Sequence, residues 1–282
     1  MKSYDEQYKE LVLDVINNGY DNTGEEIRAK YADGTPAYAK SLIGRSFRFS
    51  DPMNNIPILT TKKMSTKFPL LELYWIWIMR SNIVQDLRDL GSNIWNEWEQ
   101  EDGTIGKSYG YVLNQKVRTK EGELLNQVDN LIHELKTMPH SRRHVTELWI
   151  PKDLDEMSLM PCVHLTQWHV KGKKLILEVR ARSSDLALGN PYNLYQYHIL
   201  HRLIAQIVGL EVGEYIFHMG DIHVYDRHIG LLEQQVKREF LDKTDILISL
   251  NPDIDNINDF TVDDVKVSGL KTHPAVKYEI AE

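Results

Sequence analysis

Among 282 residues there is one cysteine, Cys162, so no intramolecular disulfide can form and no thiolate zinc cluster can be built. A chain of this kind suits a reducing compartment, and a cytoplasmic location is expected. Long apolar runs are also missing. The longest, Leu70 to Met79, is interrupted by Glu72 and is far shorter than the ~20 residues a bilayer requires, so no membrane association is expected. The opening stretch, MKSYDEQYKELVLDVINNGYDN, reads as a polar amphipathic helix rather than a basic region leading into an apolar core, so no secretory signal is expected. Basic excess is absent as well. The net charge of −8 argues against a general nucleic-acid-binding surface. Residues 241–282 hold nine acidic side chains against four lysines, which leaves the middle of the chain closer to neutral and able to receive an anionic small molecule. No Pro/Gly/Ser-rich linker, low-complexity tract or fixed-period repeat divides the sequence, and no glycine-rich dinucleotide or phosphate loop occurs. One domain spanning residues 1–282 is expected.

What is present is a mixture of helical and strand patterns without strict βα alternation. Residues 70–79, LLELYWIWIM, are apolar on every face except at Glu72, which predicts a helix packed inside the protein with a carboxylate drawn in. From Leu175 to Arg182 the pattern alternates, with Leu175, Leu177, Val179 and Ala181 on one face and Glu178, Arg180 and Arg182 on the other. The preceding VHLTQWHV is separated from it by KGKK, so the two segments predict a hairpin that brings Cys162 and Arg182 to the same end. After Gly189-Asn190-Pro191 a helix is expected. Its stripe is Tyr197, Leu200, Leu203, Ile204, Ile207 and Val208, it ends at Gly209, and Asn193 falls in its first turn. The stretch EYIFHMGDIHVY predicts a strand with His223 and Tyr225 on one side. The expected fold class is α+β: a single mixed β-sheet covered by helices.

Read singly, the reactive side chains have ordinary explanations. A lone cysteine is most often a small buried hydrophobe, a buried glutamate a salt-bridged core residue, Asn193 a helix cap, Arg142-Arg143 a solvated pair, and Trp95 with Trp98 simple core. His223 and His228 lack the spacing and the third ligand of a zinc site, and no metal is expected.

Taken together the motifs say more. MPCV at 160–163, RARSSDLALGNPYN at 180–193, AQIVGLEVGEY at 205–215 and GDIHVYDRH at 220–228 follow one another in an order and spacing that resembles the thymidylate synthase family. The resemblance extends to ILTTKK at 58–63, Glu72 ten residues after Lys62, IWNEW at 94–98, Tyr109-Gly110, SRR at 141–143 and HPAVK at 273–277. It implies methylation of dUMP to dTMP with 5,10-methylenetetrahydrofolate as co-substrate. The implied steps are thiolate addition at C6 of uracil, attack of C5 on the folate-derived iminium, loss of the C5 proton, elimination and hydride transfer, releasing dihydrofolate. Because the folate supplies both carbon and hydride, no nicotinamide or metal is called for.

The resemblance also assigns roles. Cys162 is the nucleophile, and Arg182 at the nearby strand end is expected to favour its thiolate. Glu72 is the general acid/base, with a pKa raised by burial, and Tyr109 takes part in removing the C5 proton. Arg28, Arg182 and Ser183 bind the phosphate. Arg142 and Arg143 reach the site of a partner subunit, which implies a homodimer joined through a sheet face. Asn193 reads the uracil edge, an amide matching N3–H and O4 where the related cytidylate hydroxymethylases carry aspartate. His223 and Tyr225 hold the 3′-hydroxyl. Trp95 and Trp98 line the pterin, Asp185 hydrogen-bonds it, Gly189 and Ala281 adjoin it, and Lys62 with Lys63 attracts the glutamate tail.

Some positions depart from the family pattern. Val163 stands where histidine is common, Ala181 where glutamine is, and RAKYADGTPAY differs around Arg28. The chain ends Tyr278-Glu279-Ile280-Ala281-Glu282 instead of in a short apolar segment, so looser closure over the site is expected. Loose closure would favour the runner-up, a deoxyuridylate hydroxymethylase, in which water captures the intermediate; Trp95 argues for hydride transfer. A cysteine hydrolase would need a histidine poised beside Cys162, and a non-catalytic nucleotide-binding protein would have no use for Glu72.

Overall fold

Ser3 opens the first helix, α1 (Tyr4–Asn18), with a reciprocal cap: its hydroxyl accepts from the Glu6 N–H while the Glu6 carboxylate accepts from the Ser3 N–H at 2.6 Å. The computed structural model describes residues 2–119 and 121–281. As the amphipathic pattern requires, α1 buries Tyr4, Tyr8, Leu11, Val12, Val15 and Ile16 on one face.

The centre of the fold is a six-stranded sheet. Its strands are β1 (Tyr20–Asp21) and β2 (Ala39–Phe49), then β5 (Val145–Glu147), β6 (Val163–Lys171), β7 (Lys174–Asp185) and β8 (Glu211–Tyr225), in the order β1-β2-β8-β7-β6-β5. Two small antiparallel ladders, β3 (Lys116–Arg118) with β4 (Leu124–Asn126) and β9 (Leu247–Leu250) with β10 (Val265–Ser268), lie outside it. Among the described residues only β7 and β8 pair in parallel, and the connection between them is the long helix α6 (Gly189–Ile207). The sheet is therefore mixed. The other helices are α2 (Phe68–Leu73), α3 (Val84–Asp89), α4 (Gly110–Leu113), α5 (Gln127–Thr137) and α7 (Ile229–Val236). Leu194, Ile199, Leu200, Leu203 and Ile204 of α6 are buried with Leu175, Leu177 and Val179 of β7 and Tyr215 and Phe217 of β8 in one continuous core. Each such aliphatic side chain contributes about 2 kcal/mol on full burial.

The predicted hairpin forms as β6–β7, turning at Gly172 with φ 61°, and the Arg182 N–H donates to the Cys162 carbonyl at 2.8 Å. Two predicted elements differ. The apolar stretch 70–79 is not one α-helix: α2 passes into a π-helical turn, Tyr74–Ile78, and Arg80 at φ 52° ends it. The helix expected after Pro191 starts earlier, at Gly189, with Leu188 as an N-cap that makes no side-chain bond. Asn193 thus lies beyond the first turn and is not a cap.

On the sheet face away from α6, the register aligns Glu178 with Ile216 and Arg180 with His218, and Ile216 and His218 in turn with Arg48 and Ser46. Glu178 meets His169 at 3.3 Å, Arg180 at 3.2 Å and His218 at 3.1 Å, and these side chains remain partly exposed. Further along the same strands the alternation changes phase. Buried positions run 175, 177, 179, 181 and then 184 on β7; on β8 they include 215, 217, 219 and then 222, 224, with Ile216 buried as well between the first two. The shift falls at Gly220, where a Cβ would stand 2.8 Å from the Arg182 carbonyl oxygen, so only glycine allows the approach. Beyond it, Ser183, Asp185, Asp221, His223 and Tyr225 are the half-buried positions set off from the core.

Candidate active site

Cys162 sits one residue before β6, half-buried, tied through its backbone on both sides. Its N–H donates to the Tyr109 phenol oxygen at 3.2 Å, and its carbonyl receives the Arg182 N–H. The Arg182 side chain grips the same loop, Nε donating to the Pro161 carbonyl at 3.0 Å and Nη2 to that of Met160 at 2.8 Å, with its guanidinium 5.7 Å from the Trp149 ring centre. Burial pushes the Cys162 thiol above its ordinary pKa. Arg182 pulls it down, the carboxylates of Glu72 and Asp185 push it further up, and Arg28 opposes them. Arg182 thus acts in the direction that favours the thiolate, against burial as the larger influence.

Glu72 is held where its pattern placed it, on an otherwise apolar helix. The Trp95 indole N–H donates to Oε1 at 2.7 Å and the Gln196 amide to Oε2 at 3.0 Å. Burial raises its pKa, against which those two donors act. Trp95 is buried, with its ring 5.2 Å from Tyr109 and 5.3 Å from the half-buried Trp98. Glu72, Trp95, Tyr109 and Cys162 thus form one connected wall. Tyr109 adopts φ 44°, a left-handed conformation that costs a non-glycine residue on the order of 1 kcal/mol or more, and Gly110 after it packs against Ser81 so closely that a Cβ would lie 2.1 Å from its carbonyl oxygen.

The strand ends lie close enough to Cys162 for their charged groups to act on it. Asp185 and His223 are register partners, His223 Nδ1 lies 2.9 Å from the Asp221 carboxylate, and the His223 and Tyr225 rings are 5.1 Å apart. Burial, then Asp185 and Cys162, push the Tyr225 phenol up to about 12. Arg28 lines a cavity of about 300 Å³ together with Asn22, Ser41, Asp221, His223 and Tyr225. The Asn193 amide has no hydrogen-bond partner among the described residues, and Gly189 lies beside it, its would-be Cβ 4.0 Å from Asn193 Nδ2.

Other sequence-derived assignments fare differently. Lys62 is not a surface cation: it is 2% exposed, donates to the Ala187 carbonyl, and lies 5.0 Å from the Tyr278 ring centre, with burial lowering its pKa to about 8. Lys63 is exposed. Arg142 and Arg143 are exposed and stand apart from Cys162; the Arg142 carbonyl accepts from Gln167 at the rim of the charged sheet face. The tail is fastened rather than loose. Glu279 pairs with Arg227 at 2.8 and 3.0 Å, its carbonyl contacts His228 Nε2 at 2.7 Å, and Ala281 bridges to Tyr31. Glu282 lies outside the described residues. His228 is therefore spent on the tail and His223 on Asp221.

Sequence reasoning missed Gln196, Asp221, Trp149 and Arg227. Gln196 had a signal, since it lies three residues after Asn193 on the same helix face.

The thymidylate synthase family profile matches residues 6–282. Thymidylate synthases of Bacillus subtilis subsp. natto and of Bacillus phage phi3T are 49% identical to the chain over 282 residues, and that of Bacillus licheniformis 50%, each comparison covering 100% of both proteins. Among solved structures, the thermostable thymidylate synthase A from Bacillus subtilis matches with a TM-score of 0.95 at 48% identity, again over 100% of each chain. Fold and sequence agree along the whole length, and the chain belongs to the thymidylate synthase family.

Proposed function

We propose that the protein methylates dUMP to dTMP through a covalent bond between the Cys162 sulfur and C6 of uracil. The observation that carries this reading is the convergence of Cys162, Tyr109, Trp95 and Glu72 in one wall, near strand-end groups suited to a nucleotide. C5 of uracil is a poor nucleophile until a group adds at C6, and a thiolate does this well. 5,10-Methylenetetrahydrofolate, as co-substrate, supplies the one-carbon unit and the hydride and leaves as dihydrofolate.

The residues divide the work by chemistry. Glu72, its pKa raised by burial, exchanges protons on the O4 side of the ring, and Tyr109 helps remove the C5 proton. The uncommitted Asn193 amide reads N3–H and O4. His223 and Tyr225 hold the 3′-hydroxyl. Arg28, Arg182 and Ser183 take the phosphate, a dianion that calls for several forked donors. The half-buried Trp98 beside Trp95 offers a flat ring a surface to stack on, and Asp185 and Gly189 supply polar and close-approach positions, so the residues present fit a pterin. Lys62 serves this side by supporting Tyr278 and Ala187, and Ala281 closes the segment above.

The chain acts as one domain over residues 1–282 and as a cytoplasmic homodimer joined through the charged sheet face, with Arg142 and Arg143 completing the partner's phosphate site. Among the described residues no helix is long and apolar enough to cross a membrane. No nucleic acid is required for activity. Incubating the purified protein with dUMP and methylenetetrahydrofolate should yield dTMP and dihydrofolate in equal amounts, and Cys162→Ala should abolish both. Formation of 5-hydroxymethyl-dUMP with tetrahydrofolate would overturn the reading in favour of a hydroxymethylase.

A further inference from the structure

Arg227 is assigned no part in the reaction, yet its guanidinium ties its own turn to two other stretches of the chain, residues 31–35 and the tail. It lies two residues past the end of β8, in the short turn Asp226–His228. Nη1 donates to both carboxylate oxygens of Glu279, at 2.8 and 3.0 Å; Nη2 donates to Asp33 at 2.8 Å and to the Thr35 hydroxyl at 2.7 Å. The flat face of the group stacks on Tyr31, 4.0 Å from the ring centre. Tyr31 is itself shared. Its phenol donates to Asp226 and accepts from the Arg227 N–H at 3.3 Å, and its backbone bridges to Ala281.

An isolated ion pair at this degree of exposure would do little. Here the forked geometry and the stacked ring fix the guanidinium, and the same tail segment is held by two further bonds, His228 to the Glu279 carbonyl at 2.7 Å and the Tyr278 hydroxyl to Gln235 at 2.6 Å. The segments joined are not arbitrary. The turn at 31–35 follows Arg28; the end of β8 carries His223 and Tyr225; and the tail rests on Lys62 through Tyr278 and on Tyr225 through the ring of His228, 5.6 Å from the one and 5.2 Å from the other tyrosine.

We infer that Arg227 is a positioning residue, a clamp that seats the C-terminal strap 278–281 against the nucleotide side of the cleft, so that strap and nucleotide-binding residues hold their places as one unit. The inference rests on the cleft being the dUMP and folate site, although the clamp itself can be tested without turnover. Glu279 is the partner on the tail, and an apolar residue there would leave the fork half empty.

The test compares Arg227→Gln, Arg227→Lys and Glu279→Gln with the unmodified protein. Glu279→Gln leaves the bonds to Asp33, Thr35 and Tyr31 in place and so guards against simple misfolding of the Arg227 variants. The first readout is the rate at which a carboxypeptidase releases Ala281 and Ile280 from the folded protein. Release should quicken roughly tenfold in Arg227→Gln and Glu279→Gln, as local opening becomes easier, and less in Arg227→Lys, which keeps the charge without the fork. The second readout is kcat, with the share of dUMP leaving as 5-hydroxymethyl-dUMP; kcat should fall and that share rise in the same order. Release rates equal to those of the unmodified protein in both Gln variants would overturn the clamp, and faster release with unchanged turnover would overturn its positioning role. If the unmodified protein makes no dTMP the proposed function fails, while the release rates still decide on the clamp.

Discussion

The Tyr109 phenol oxygen accepts the backbone N–H of Cys162 at 3.2 Å, while Tyr109 itself stands at φ 44°. The residue that carries the sulfur is thereby fixed to a strained residue from a distant part of the chain, and strain of this kind persists only where surrounding packing enforces it. Tyr109→Phe should leave the ring contacts with Trp95 and remove the acceptor. A lost bond of this type costs about 1–3 kcal/mol. The variant is expected to stay folded, with a modest loss in urea denaturation, but to lose tenfold or more in kcat. A larger loss of stability than of activity would mean the bond is chiefly structural.

The thiol provides a pH test. Burial holds the Cys162 pKa above the ordinary thiol value, so alkylation of the free protein by iodoacetamide should still be accelerating at pH values where an exposed cysteine has levelled off. Because Arg182 pulls in the opposite direction, Arg182→Gln should push the midpoint higher still. A midpoint below the ordinary thiol range would contradict the burial argument.

Base choice should follow the free amide. Asn193→Asp replaces a donor to O4 with an acceptor, and a protonated carboxyl or water at that edge suits cytosine better. The variant should bind dCMP while losing one to two orders of magnitude in kcat/KM for dUMP, about 1–3 kcal/mol for one mispaired polar edge. Competition of dCMP against dUMP in the dihydrofolate absorbance assay measures it.

Acid should weaken the fold through α6. His201 is buried with Nε2 2.7 Å from the Leu175 carbonyl, and burial lowers its pKa from 6.5 to about 4; His198, three residues earlier, is shifted the same way. A histidine whose folded pKa is depressed takes up protons first in the unfolded state, so stability is full above pH 6.5 and is lost as pH falls from there toward 4. For His201 the loss is roughly 2 kcal/mol by pH 5. Urea unfolding at pH 7.5 and pH 5 should show it, and His201→Gln should reduce the difference.

Much of this was legible because it was local. The β6–β7 hairpin followed from alternation and the Gly172 turn, and it brought Cys162 to Arg182 without tertiary information. The carboxylate of Glu72 was conspicuous among apolar neighbours. What escaped notice depends on distance along the chain. The donor Gln196 lies 124 residues from Glu72, and Glu279 lies 52 from Arg227. The burial of Lys62 depends on Tyr278 arriving from the far terminus, and a cation in a polar motif reads as exposed without it. The π-helical turn at Tyr74–Ile78 left no periodic mark in a stretch already apolar on nearly every side. Nor did the phase change at Gly220, because a single glycine in a strand signals only that some close approach occurs.

That glycine has a wider reach than its size suggests. Upstream of Gly220 the outward side chains of β7 and β8 make the charged surface around Glu178; downstream, the same two strands present Asp185, His223 and Tyr225 to the cleft. The close approach of Gly220 to the Arg182 carbonyl is where the outward faces of β7 and β8 pass from that charged surface to the residues about Cys162. Any side chain at position 220 would force the two strands apart there, so the placement of His223 and Tyr225 relative to the Glu178 surface rests on the one residue that has none.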